Sequence, residues 1–141
     1  MKHRIYLLAF ISAYALSFQV IAQEFKPYPR ADITVAQWLT YFNEVREKHG
    51  TTVQDLDDEK LLVYTDKTTT TIYGFTKPGH PAHPAWITRK PEQRGDSLFI
   101  GQIGYFAGSE PPFAKLFRDY LALNERLTED IKLRSQQVEK K

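Results

Sequence analysis

The chain has 141 residues with 19 basic and 17 acidic side chains, a formal charge of +2, 13% aromatic residues and no cysteine. The absence of cysteine excludes disulfides, thiol catalysis and cysteine-ligated metal sites. The small net charge excludes the concentrated positive surface with which proteins grip nucleic acid.

Met1-Lys2-His3-Arg4 is a short basic start. It is followed by an apolar stretch from Ile5 to Phe18 and then Gln19-Val20-Ile21-Ala22. That order predicts a signal peptide over 1–22, cleaved after Ala22, with no stable membrane insertion afterwards. A spanning helix needs about 20 apolar residues, more than this run supplies before Gln19. Lys2 and Arg4 leave with the leader, so the 119 residues that remain carry 17 charges of each sign. They suffice for one domain with a core of its own, and the expected location is periplasmic or secreted.

Residues 23–33, "QEFKPYPRADI", read as an extended arm, with Phe25 and Tyr28 set between prolines. Thr34-Val35-Ala36-Gln37 has the form of a capping box, and Val35, Trp38, Leu39, Phe42 and Val45 follow at helical spacing. The helix predicted over 35–48 stops at Gly50. "TTVQDLDDE" (51–59) reads as irregular. Strands are predicted at 60–64, 68–76, 85–90 and 97–107, with "PEQRGD" as the turn before the last. Ser109, Glu110 and the Pro111-Pro112 pair then open a long helix over 112–135, striped by Phe113, Leu116, Phe117, Tyr120, Leu123, Leu127 and Ile131. A single α+β domain over 34–138 results, with 139–141 as a frayed tail. The connections are too short for crossovers, so the four strands form an antiparallel meander, and both helices are expected to cover one sheet face.

"KPGHPAHPAW" (77–86) holds His80 and His83, each directly before a proline. Two imidazoles at this spacing can meet one ion, with His49 or one of Asp55, Asp57, Asp58 and Glu59 as a third ligand. The plainer expectation is a stiff turn whose histidines are extended and face water, because proline pushes the preceding residue away from helical backbone. No serine sits in a nucleophile elbow, and Gly101, Gly104 and Gly108 lie in a strand rather than a phosphate loop. The chain is therefore expected to be cofactor-free.

Binding is the remaining function class. The aromatic load exceeds what one small core requires, and surplus rings serve as recognition surface. Trp86, His80, His83, Tyr41, Tyr28 and Phe25 are the candidate contact residues for a protein partner in the cell envelope. Two alternatives stand beside this reading. One is a metal- or histidine-dependent hydrolase centred on His80 and His83. The other is a homodimer assembled through the last helix, whose far end from Leu127 to Val138 would overhang the sheet.

Overall fold

A computed structural model describes residues 31–139. The candidate residues Phe25 and Tyr28, the leader and most of the arm lie outside them.

Helix α1 spans Val35–His49. The Thr34 hydroxyl accepts the Gln37 N–H at 3.1 Å and the Gln37 side chain accepts the Thr34 N–H at 2.9 Å, so the capping box forms as the sequence predicts. A short 3₁₀ turn, Gly50–Thr52, leads to five strands: β1 Gln54–Leu56, β2 Leu61–Asp66, β3 Thr71–Thr76, β4 Ala85–Arg94 and β5 Ser97–Phe106. Helix α2 closes the described chain as Glu110–Glu139. Among the described residues no helix is long and apolar enough to cross a membrane.

The sheet is an antiparallel meander in the order β1-β2-β3-β4-β5. Among the described residues it has five strands rather than four. The extra one, β1, pairs Asp55 with Leu62 and Leu56 with Leu61 inside the segment read as irregular. β3 begins later than expected because the Asp66 carboxylate takes the Thr68 N–H and the Thr69 hydroxyl, both at 2.8 Å, drawing those threonines into the turn. β4 continues four residues further than expected, through Pro91 to Arg94. β3 pairs with β4 only as far as Arg89, so the nitrogen of Pro91 faces a side with no neighbour and no ladder bond is lost. Gly95, with φ +59°, makes the tight hairpin turn to β5.

The two helices cover opposite faces of this sheet, not one. Cross-strand pairs share a face, and the register joins Phe75 to Trp86 and Trp86 to Tyr105 on the first face. The same ladder joins Gly74 to Ile87 and Ile87 to Gly104 on the second. The ring-bearing face packs on α1, forming a cluster of Trp38, Val45, Tyr64, Phe75 and Trp86. The other face is low at its glycines, and α2 sinks onto it through Phe113 and Phe117, against Ala85, Ile87 and Phe106. Both sets of apolar positions need cover, so each face takes a helix of its own. An added Cβ on Gly104 would lie 2.9 Å from atoms of both Phe113 and Phe117, so only glycine admits the rings this close.

A polar seam pins α2 in register along β5. Buried Asn124 donates to the Gln102 side chain at 2.7 Å, and Gln102 donates to the Phe117 carbonyl at 2.9 Å. Arg89 donates to the Asn124 oxygen at 3.3 Å and lies over the Tyr120 ring. Beyond Thr128 the side chains of α2 are exposed as far as Val138, including Ile131 and Leu133. The overhang expected of the last helix is therefore present.

Candidate functional site

The proline loop is not the open turn the sequence suggests. His80 and His83 are both half-buried, and they part company. His83 lies edge-on against the Trp38 ring of α1, with its Nδ1 2.9 Å from the Thr76 carbonyl. A carbonyl only accepts, so Nδ1 carries the proton and donates. His80 instead lines a groove beside α2, and its Nδ1 accepts the Ala82 N–H at 2.9 Å. Burial first, and the neighbouring His83 second, hold the His80 imidazole below its ordinary pKa. The loop is thus tied down by its own backbone. The Thr76 hydroxyl both accepts from the Ala85 N–H and donates to the Ala85 carbonyl.

This geometry does not gather a metal site. His49 stacks on Tyr73 at 5.5 Å, at the far end of α1 from Trp38. Asp55 and Asp57 are held by the Lys77 ammonium at 2.5 and 2.9 Å. Among the described residues no group of three or more His, Asp or Glu stands close enough to share an ion. The groove at His80, about 390 Å³, also contains Glu59, Asp119, Tyr120 and Arg126. Its lining holds no serine or threonine, and the Tyr120 hydroxyl turns toward the sheet at Gly74, where burial raises its pKa.

Trp86 is not an exposed docking residue. Only 6% of it is accessible, because rings from distant parts of the chain close over it. Tyr41 of α1 stacks on it at 4.2 Å, and Tyr105 of β5 lies tilted at 4.8 Å. Its indole N–H is buried and finds no hydrogen-bond partner among the described residues. Leaving a buried donor unpaired costs about 1–3 kcal/mol. Burial, and Tyr73 after it, raise the pKa of the Tyr41 hydroxyl above its ordinary value.

The outer side of this aromatic stack is open. Ile33, Gln37, Tyr41, Trp86 and Tyr105 line a cleft of about 300 Å³ between α1 and the β4–β5 hairpin. A second depression of about 310 Å³, lined by Ala36, Gln37, Thr40, Tyr41 and Glu44, shares Gln37 and Tyr41 with it. The two adjoin along the flank of α1, one walled by flat rings and the other holding a carboxylate. Of the candidate contact residues, Tyr41 and Trp86 are brought together here, while His80 and His83 are elsewhere. Tyr105 and Gln37 were not singled out from the sequence. Pairing with Trp86 shows that Tyr105 lies on the groove's face. Phe99 is 43% exposed because it lies on the α1 face of the hairpin beyond the reach of α1.

The arrangement defines an α+β domain clad by one helix on each face, with an aromatic groove beside the first. No protein-family model, curated protein or solved structure matches this chain.

Proposed function

We propose that this chain is an exported, non-enzymatic binding or accessory protein of the cell envelope. It docks an extended segment of a protein partner in the groove beside α1. Export rests on the leader over 1–22. The observation that carries the binding reading is the cleft itself, where three rings from three elements, Tyr41, Trp86 and Tyr105, converge. Flat aromatic walls suit proline or aromatic side chains on an extended backbone. Glu44, in the adjoining depression, suits a basic residue in the same segment. The contact surface is this groove rather than the 77–86 loop, whose histidines are occupied within the fold.

The test is a titration with a proline-rich decapeptide containing one lysine, read by tryptophan fluorescence in a Trp38→Phe background that isolates Trp86. Saturable change is expected, together with its loss in Tyr105→Ala. An unchanged signal throughout the titration, or equal binding by the variant, would refute the site.

A further inference from the structure

Strand β5 is an edge strand of ten residues without a single charge or proline. Folded proteins usually blunt such edges with charge, proline or brevity, and the opposite edge, β1, does so with three residues that include Asp55. The hydrogen-bond alternation shows what β5 leaves free. The Ala107 N–H bonds to the Pro84 carbonyl, whereas both polar backbone groups of Phe106 turn outward to Ala31 and Ile33. By the same alternation Leu98, Ile100, Gln102 and Gly104 point their N–H and C=O away from β4. Among the described residues the free edge is bounded by the Gly95 turn at one end and by the Asp32–Phe106 bridge at the other. Its midpoint is Gly101.

We propose that this edge pairs with the β5 edge of a second copy of the chain, antiparallel about a two-fold axis at Gly101. The sequence is self-complementary in that register. Leu98 and Ile100 fall opposite Gly104 and Gln102 of the second copy, using all four outward positions. On the α1 face, Phe99 falls opposite Ile103 of the second copy and Ile103 opposite its Phe99. Both side chains are largely exposed in the single chain, at 43% and 38%. An aromatic ring facing a β-branched side chain is a favourable cross-strand pair, and an uncharged strand brings no like charges together. Charge on α2 fits as well. A groove of about 350 Å³ runs along this edge, lined by Phe99, Ile100, Leu121 and Glu125 among others, and Arg118 lies on the same helix stripe one turn before Leu121. An antiparallel copy sets Arg118 toward Glu125 of its neighbour, twice. The chain's own arm is the poorer occupant. Continuing the bridge at Asp32 would require Pro29 and Pro27 to donate to Gln102 and Ile100, and proline has no N–H.

The experiment is sedimentation equilibrium on the full mature chain from about 1 to 500 μM, because protomer concentration sets the population of a dimer. Ile103→Lys and Ile131→Lys are run beside the wild type. Both sites are exposed, so both variants keep the fold. A wild-type dimer weakened at least about tenfold by Ile103→Lys and unchanged by Ile131→Lys is the expected result. Monomers throughout, or a dimer lost only in Ile131→Lys, would overturn the proposal, the latter in favour of contact through the end of α2. Amide exchange provides a second measurement. Protection of Leu98, Ile100, Gln102 and Gly104 that disappears on dilution is expected, whereas concentration-independent protection would assign the edge to the arm.

Discussion

Gly101 and Gly104 stand three residues apart in β5 and face opposite sides of the sheet, so replacing each with alanine tests which helix covers which face. At Gly104 the new methyl would lie 2.9 Å from Phe113 Cζ and from Phe117 Cδ2. Carbon atoms pack best at about 3.5–4.0 Å. Both rings are fully buried, at 0% and 1% exposure, and the Asn124–Gln102–Phe117 seam fixes the helix behind them. Neither ring can retreat. Overpacking of this kind costs about 1–3 kcal/mol, less the 0.4–1 kcal/mol by which alanine restricts the unfolded chain. At about 4 °C per kcal/mol for a domain of this size, Gly104→Ala is expected to melt several degrees below the wild type. At Gly101 the atoms nearest the methyl all belong to the Glu92 side chain, which is flexible and partly exposed. Gly101→Ala is expected to stay within about 0.5 kcal/mol of the wild type. The assay is paired thermal and urea unfolding of the two variants. Equal stability, or a larger loss at Gly101, would refute the placement of α2 on the Gly104 face.

The capping box at Thr34 gives a further expectation. Thr34→Ala should lower stability by about 1 kcal/mol, seen as a shift in urea midpoint with an unchanged slope, and Thr34→Asp should restore most of it. The His80 imidazole, held below its ordinary pKa by burial and by His83, gives a pH dependence of known sign. Its neutral form is the one the fold prefers, so its contribution is complete above the unfolded-state value of about 6.5 and fades as pH falls through the folded-state value. The Ala82 N–H, which needs the free lone pair on Nδ1, acts in the same direction. The wild type should therefore lose more stability than His80→Gln between pH 7.5 and pH 5. An equal loss in both would show that His80 is not the titrating group.

Much of this architecture is legible in the residues. The Thr34–Gln37 box, the spacing of Trp38, Phe42 and Val45, and the stripe through Phe113 and Phe117 announce both helices. The branched and aromatic runs announce four of the five strands. β1 escapes because three residues, one of them acidic, carry no period of their own; only Leu56 against Leu61 reveals it. The opposite-face cladding escapes for a subtler reason. β5 carries apolar groups on both faces, which can mean either a central strand or cover on each side, and only cross-strand register separates Tyr105 from Gly104.

Site residues follow the same logic. Trp86 looks exposed in a proline-bounded loop, yet its neighbours Tyr41 and Tyr105 lie 45 residues before it and 19 after. No local pattern predicts that stack. His83 is drawn away from His80 by packing edge-on against Trp38 of α1, 45 residues earlier, and among the described residues no third ligand gathers with the pair. Phe99 and Ile103 are hydrophobic in sequence and exposed in the fold, a contrast that becomes visible only once α1 is seen to stop short of the hairpin.

The binding account is tested most directly at the indole proton of Trp86. In ¹⁵N-labelled protein, with the two tryptophan resonances assigned through Trp38→Phe, the Trp86 indole signal is expected to shift as a proline-rich peptide docks against the surrounding rings, with shifts clustering at Gln37, Tyr41 and Tyr105. A stationary Trp86 indole while shifts gather around His80 and Tyr120 would contradict the account and move the site to the opposite face of the sheet.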